Sequence, residues 1–464
     1  MDSNTDAVRR FRERLDAEYD KRFRKSREHY ARYGGVVLDR TSHAIRWNEP
    51  FLPVTRRADG AAVEDLDGHR IIDYWQGHFA NLFGHNPKLI RAALARALDE
   101  GRGLQTGMVH EIEAEVCERI SRCTGGETVR LTTSGSLGTF YAVLLARAFT
   151  GREEVLKVAG GWHGSQPFGL KGVSAVDGSF DHLESEGLSA DARSEIRLTR
   201  FNDADDLRKQ FERDGDRIAC FLIEPVLGSG GGMVGSTEYL REARRLTERH
   251  GALLICDEII TGFRFRAGDL SSMHGVRPDL LVLGKILGGG MPVAAVAGRR
   301  EVMQLCCRGT HRVKFEGGTY SAHELSLVAS RTMLREVMEQ EQEIYGALAR
   351  LGAQLRERIA ETARAAGVPV AILGASDELG GGSSLVYVHV LRDGAPAIRC
   401  PEDLAQHAHP RVSERLLRSV LMLEGVSVRS GLGAVSTSHG QDEIERTAVA
   451  YRVAFERLRH GEIL

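Results

Sequence analysis

The sequence predicts an α/β fold: a large domain with a mostly parallel sheet covered by helices, followed by a smaller α+β domain at the C-terminal end. Three observations carry this expectation. Between residues 129 and 285, short aliphatic strand-like segments alternate with helix-like ones, and strands separated by helices build a parallel sheet covered on both faces. Ahead of them, ADGAAVEDLDGHRIIDYW (58–75) alternates and carries Asp-Gly pairs, the pattern of a β-hairpin region. Beyond residue 340, long helical stretches surround one alternating segment, SSLVYVHV (383–390).

In chain order, residues 4–32 are charged but place Val8, Phe11, Leu15, Tyr19 and Phe23 three or four apart, which predicts one amphipathic helix lying on another surface. Strands are expected at 129–134, 153–159, 217–226, 251–260 and 279–285, with helices at 137–148, 236–250 and 322–339. Further helices are expected at 341–366, 410–424 and 440–459. The resulting division is an N-terminal helix and hairpin segment (1–75), a large domain (76–338) and a small α+β domain (339–464).

The bulk properties exclude several classes. The chain has 464 residues, 42% hydrophobic and 27% charged, with a net charge of −2. Nucleic-acid and membrane-surface partners normally require a basic face, and the charge balance argues against both. The seven cysteines form no CxxC pair, so neither a disulfide framework nor a metal site is expected. The N-terminus is charged rather than apolar, and no run reaches the roughly 20 apolar residues of a membrane span. A soluble cytoplasmic protein is expected. Only eight of the 62 basic residues are lysine, so each retained lysine draws attention.

Ligands of parallel α/β sheets bind beyond the carboxyl ends of the strands. The first strand runs into Ser134-Gly135-Ser136 at a helix start, where small residues and free N–H groups suit an anion such as phosphate; a plain capped helix start has the same pattern. The second leads to Gly160-Gly161-Trp162-His163-Gly164, either a stacking aromatic for a flat ligand or a core Trp–His pair. The fourth carries Asp257 and Glu258 inside an apolar run, as a counterion, a base or a metal ligand. The last ends at Lys285 in LLVLGKILGGGMPV (280–293). There the amine is either a nucleophile of lowered pKa or a strand-end lysine reaching solvent. Together the four pieces are what pyridoxal 5'-phosphate requires. Lysine holds the aldehyde as a Schiff base, and aspartate keeps the pyridine nitrogen protonated.

From about residue 55 onward the chain resembles the class III pyridoxal-phosphate-dependent aminotransferases of fold type I, especially the branch of glutamate-1-semialdehyde 2,1-aminomutase and D-phenylglycine aminotransferase. RADGAAVEDLDGHRIIDY (57–74), LFGHNP (82–87), ARAFTGR (146–152), WHG (162–164), IEPV (223–226), GALLICDEIITGFR (251–264), PDLLVLGKILGGGMPV (278–293), GGTYS (317–321) and LEGVSV (423–428) carry it. The resemblance implies that Lys285 forms the Schiff base and shuttles the proton, and that Asp257 pairs with the ring nitrogen. It also implies that Ile259 packs on the ring face opposite Trp162, and that Ser134, Gly135 and Ser136 hold the phosphate. His163, Glu224 and Gly318 join the cofactor residues. Thr319 would reach the phosphate of a partner subunit, so a homodimer with shared active sites is implied, wrapped by the N-terminal helix and residues 60–85.

The departures concern substrate more than chemistry. Trp162 stands where the family usually has tyrosine, and Leu137 where it commonly has an acid. Gly77 and His78 align with Ser-Trp of the aminomutase pattern, and Ala322-His323-Glu324 replaces the usual Gly-Asn-Pro. Arg46 and Arg429 are candidates for binding a substrate carboxylate, and His43 and His78 for lining the channel. The leading expectation is an aminotransferase exchanging an amino group between an amine or amino acid and a carbonyl acceptor. An aminomutase is the alternative within the fold. A racemase, a cofactor-retaining binding protein and a nicotinamide-dependent oxidoreductase rank lower, the last because no GxGxxG opens a βαβ unit.

Overall fold

The structure, a computed structural model, describes residues 6–309, 312–380, 382–409, 412–429, 431–461 and 463–464. The expected helix starts at residues 4 and 410 lie outside them. Fourteen strands occur among the described residues: β1 (Thr55–Asp59), β2 (Ala62–Asp65), β3 (Arg70–Asp73), β4 (Thr128–Thr132), β5 (Glu154–Val158), β6 (Ile196–Thr199) and β7 (Ile218–Ile223), then β8 (Leu253–Glu258), β9 (Leu280–Leu283), β10 (Ala294–Gly298), β11 (Val370–Leu373), β12 (Leu385–Val390), β13 (Val426–Ser427) and β14 (Leu432–Ala434).

Seven of these form the central sheet, in the order β4-β10-β9-β8-β7-β5-β6. Pairing is parallel from β9 through β6, and β10 runs antiparallel to both β4 and β9. β7, β8 and β9 are buried along their whole length, because helices cover both faces. The helix Gly135–Thr150 begins at Ser134, whose Oγ accepts the Leu137 N–H at 3.4 Å, and stops at Gly151 with φ 68°. That is a side-chain cap at one end and a left-handed glycine at the other.

Two smaller sheets flank this core. β11, β12 and β14 form an antiparallel sheet, beside which the long helices Glu341–Ala366 and Gln441–His460 pack on each other. The hairpin strands β1, β2 and β3 are completed by β13, which pairs parallel to β3 through Val426 and Ser427. The N-terminal hairpin thereby shares a sheet with a strand from the far end of the chain.

Several expectations are corrected. The N-terminal helix is two helices, Asp6–Arg22 and Arg24–Tyr33, broken at Phe23 with φ −105° and ψ 47°. Phe23 is fully buried with its ring 4.6 Å from that of Tyr19, so seating the ring outweighs helix continuity. The strand expected to end at Lys285 stops at Leu283, and Lys285 opens the turn Lys285–Gly288. The segment expected as helix 410–424 begins, within the described residues, as a π-helical stretch, Val412–Leu417, leading into the helix Arg418–Leu423.

Candidate functional site

The carboxyl ends of β4, β5, β7, β8 and β9 open on one side of the central sheet, and the candidate residues emerge there. Asp257 lies opposite Val282 and Glu258 opposite Leu283 in the β8–β9 register. Lys285 therefore stands two residues past the end of the strand beside Asp257. It adopts φ 47°, a left-handed conformation that is strained for a side-chain-bearing residue. Among the described residues its amine has no hydrogen-bond or ion-pair partner. Burial pushes its pKa down to about 8, against the pull of the Asp257 and Glu224 carboxylates and with a further push from the Arg264 guanidinium.

Asp257 is 3% exposed. Its Oδ2 lies 2.9 Å from His163 Nδ1, and its Oδ1 accepts the Ile259 N–H at 3.2 Å. Burial lowers the pKa of His163, against the effect of the carboxylate, so the neutral imidazole donates through Nδ1. His163 Nε2 is buried without a partner. The adjacent carboxylate has a different task. Glu258 accepts from Thr261 Oγ1, the Leu270 N–H, and the N–H and Oγ of Ser271, all at 2.6–2.8 Å, so it fastens the loop after β8.

Glu224 follows β7 directly. Its two oxygens accept the N–H groups of Trp162, at 2.9 Å, and Gly228, at 3.0 Å. Burial raises its pKa and Asp257 adds to the rise. Trp162 remains partly exposed, at 36%, on a backbone fixed by Glu224. Lys157 supports that loop from below: it is fully buried and donates to the carbonyls of Gly161, Gly169 and Lys171 at 2.8, 3.4 and 2.8 Å.

The Ser134–Ser136 turn is packed as a cradle. A Cβ at Gly135 would lie 2.3 Å from Ile259 Cδ1, and one at Gly164 would lie 2.4 Å from Ser136 Oγ. A Cβ at Gly284, just ahead of Lys285, would lie 3.6 Å from Ile259 Cγ2, so the Ile259 side chain sits between cradle and lysine. Gly318, at φ 98°, packs on Thr133, whose N–H donates to the Gly317 carbonyl. Thr319 is exposed, and its carbonyl accepts from Gln105 Nε2 at 2.9 Å.

Next to Lys285–Gly288 packs an unusual turn, Gln76–Phe79. Gln76, Gly77, His78 and Phe79 have φ of 47°, 61°, 62° and 68°. Left-handed backbone costs about 1–2 kcal/mol per non-glycine residue, so the surroundings must impose it. Asp73 accepts the N–H groups of Trp75 and Gln76, at 3.1 and 3.0 Å, and its carbonyl accepts Gln76 Nε2 at 2.6 Å. From the other side, Arg264 donates to the Phe79 carbonyl. Sequence reasoning passed over Arg264. It is 3% exposed, and its other partners are the Ile260 carbonyl and Ser384 Oγ rather than a carboxylate. The only hint in the sequence was its place at the end of GALLICDEIITGFR.

The turn aims His78 at a cavity of about 640 Å³ that Arg46, Trp47 and Trp75 also line. Arg46 Nε donates to His78 Nε2 at 3.1 Å, and the rings of His43 and Trp75 lie 5.0 and 4.3 Å from that of His78. Burial, with Arg46, His43, Lys285 and Arg429 in support, drives the His78 pKa to about 4. The imidazole is therefore neutral, and Arg46 is held by an uncharged acceptor, with no carboxylate paired to it among the described residues. Arg429 is not brought to this cavity. It lines a neighbouring one that shares the Trp47–Asn48 wall. Among the described residues, no group of three acidic, histidine or cysteine side chains could hold a metal ion.

Residues 44–374 match the family Aminotransferase class-III. The chain belongs to that family. Membership makes it a pyridoxal-phosphate-dependent enzyme. A glutamate-1-semialdehyde 2,1-aminomutase of Pelotomaculum thermopropionicum is 34% identical over 429 residues, 91% of this chain and 94% of that protein. An omega-transaminase from Sphaerobacter thermophilus superposes with a TM-score of 0.85 at 28% identity, covering 94% of this chain and 98% of that one. A beta-phenylalanine aminotransferase from Variovorax paradoxus gives a TM-score of 0.83 at 26% identity over 96% and 98%. The residues present fit the family's cofactor. Gly135 and Gly164 let Ile259 and Ser136 close tightly around the cradle, where any Cβ would collide, and among the described residues the Lys285 amine has no protein partner.

Proposed function

We propose that the chain is an aminotransferase that moves an amino group between an amine or amino-acid donor and a carbonyl acceptor, with Lys285 and Asp257 at its centre. Lys285 Nζ is the attachment point for the cofactor aldehyde and the group that carries a proton to and from the substrate carbon. Its lowered pKa keeps a fraction of neutral amine available near pH 8. Asp257, oriented by the His163 Nδ1–H and the Ile259 N–H, receives the ring nitrogen. Ser134, Gly135 and Ser136 hold the phosphate, and Trp162, fixed through its N–H by Glu224, covers the ring face opposite Ile259. When bound, the cofactor supplies an electron sink for the substrate carbanion. Arg46, held by neutral His78, offers its charge to a substrate carboxylate.

The observation that carries this reading is an amine without a partner among the described residues, set beside a buried carboxylate at the ends of adjacent parallel strands. Borohydride treatment of the holoenzyme followed by peptide mapping tests it: the reduced adduct is expected on Lys285, with none in Lys285→Ala. An adduct on another lysine defeats the assignment.

A second reading, intramolecular amino transfer, is favoured by the 34% identity to a protein described as an aminomutase. Conversion of one substrate to its isomer without added 2-oxo acid selects it; a stoichiometric need for the acid selects the aminotransferase.

The working form we propose is a homodimer in the cytoplasm. Leu104, Met108 and Val109 are 77–87% exposed close to exposed Thr319 and Tyr320, an apolar surface that a second copy would cover. Thr319 would then face the partner's site. All seven cysteines are unpaired, as a reducing compartment allows. No described helix is long and apolar enough to cross a membrane.

A further inference from the structure

A second cavity, of about 530 Å³, lies between the helix Asp6–Arg22 and the segment 414–429. Arginine dominates its walls: Arg12, Arg415, Arg418 and Arg429 against Glu49 and Glu414. Arg415 is committed, pairing with Asp16 at 3.4 Å and with Glu49. Arg418 is not. It is 3% exposed, makes no hydrogen bond or ion pair among the described residues, and its Nε is buried without an acceptor.

That arrangement is costly. Burial, reinforced by the Arg429 guanidinium, lowers the Arg418 pKa to about 10, which still leaves it protonated at neutral pH. A guanidinium does not escape burial by losing its proton, and an uncompensated buried charge is strongly destabilising. The nearby protein groups do not answer it. Glu414 is exposed, and although its charge pulls the Arg418 pKa up, it forms no ion pair with the guanidinium among the described residues. The Tyr19 hydroxyl donates to the Phe51 carbonyl at 2.8 Å. Arg418 is the first residue of the helix Arg418–Leu423, directly after the π-helical turns Val412–Leu417, an irregularity that changes the direction of the side chains following it.

We propose that this cavity binds a small anion bearing a carboxylate or phosphate group, with Arg418 as the buried cation that receives it. Arg12 and Arg429 also line the cavity. The shared chemistry is a compact group of anionic oxygens, which the planar guanidinium fork matches with two parallel N–H donors. Two sources supply such a group. One is a free anion. The other is the far end of a dicarboxylic substrate entering from the adjoining cavity across the Trp47–Asn48 wall. The site does not depend on the assignment of Lys285.

The test is calorimetric titration of the holoenzyme with inorganic phosphate and, separately, succinate, each at constant ionic strength balanced with sodium chloride. Saturable binding of at least one probe is expected. In Arg418→Met its dissociation constant should rise about tenfold or more, as for the loss of one charge-assisted pair. Arg418→Met retains volume and removes a buried charge, a change that folded proteins usually tolerate. Arg418→Lys, which keeps the charge without the fork, should bind with intermediate affinity and serves if the methionine variant does not fold. Phosphate binding with unchanged steady-state kinetics assigns the site to a free anion. Succinate binding that raises the KM of the amino donor, with kcat unchanged, assigns it to a substrate end. No saturable binding of either probe, or equal affinity in wild type and the Arg418 variants, overturns the proposal.

Discussion

His163 Nδ1 stands 2.9 Å from Asp257 Oδ2, and both side chains are almost completely buried. The imidazole thus fixes the direction in which the carboxylate presents its remaining capacity. Replacing His163 by Phe keeps a ring and removes the donor. Losing a hydrogen bond to a charged group costs about 1.5–3 kcal/mol, so pyridoxal phosphate should bind the apoprotein roughly ten- to a hundredfold more weakly. Equilibrium dialysis measures this. An unchanged dissociation constant would show that His163 does not orient Asp257.

Cofactor capture should report the lowered pKa of Lys285. Only the neutral amine attacks an aldehyde, and its fraction grows as pH rises through the pKa. The rate of reconstitution of the apoprotein is therefore expected to climb with pH with a midpoint near 8. Stopped-flow absorbance after mixing with pyridoxal phosphate gives the profile. A rate still climbing well above pH 9 would mean that burial has left the lysine at its ordinary value.

Gly135 and Ile259 share one small space, since a Cβ on the glycine would fall 2.3 Å from Ile259 Cδ1. Gly135→Ala overpacks that space and should cost about 1–3 kcal/mol. Adding Ile259→Ala makes room, so the double variant should recover part of the loss. Urea unfolding of the four members of the cycle gives the coupling energy. Simple additivity would show that the two residues do not press on each other.

Lys157 donates to three carbonyls and, among the described residues, has no carboxylate within hydrogen-bond reach. Lys157→Met leaves those acceptors unmet and should cost about 2 kcal/mol or more. The sign of its pH dependence follows from a folded-state pKa lowered by burial to about 7 from an ordinary 10.5. Between those values the unfolded chain binds more protons, so this lysine makes the native protein more stable as pH rises. The methionine variant should lose that part of the rise in a series of denaturation curves. A variant with the same pH dependence as wild type would place the effect elsewhere.

Legibility followed contrast. Asp257 and Lys285 stand out because each interrupts an aliphatic run, and a buried charge in such a run needs a reason. β10 escaped notice because Ala294–Gly298 is made of small residues without strand-like bulk. β13 was hidden for another reason: two residues, Val426 and Ser427, become a strand only by pairing with β3, far away in the chain. The left-handed turn Gln76–Phe79 contains a single glycine and is imposed by Asp73 and Arg264, contacts that no local pattern announces. Arg418 was masked by abundance. Among so many arginines, it is deep burial together with the absence of a partner among the described residues that sets it apart.

Lys157 and Lys171 are locked inside the fold, and Lys285 is partly buried, which leaves Lys21, Lys25, Lys88, Lys209 and Lys314 as the exposed lysines. Amine-directed reagents therefore meet a sparse and dispersed set of anchors on a surface otherwise rich in guanidinium. A cross-linking map would have very few side-chain handles, and immobilisation through primary amines would hold the molecule in a small number of orientations.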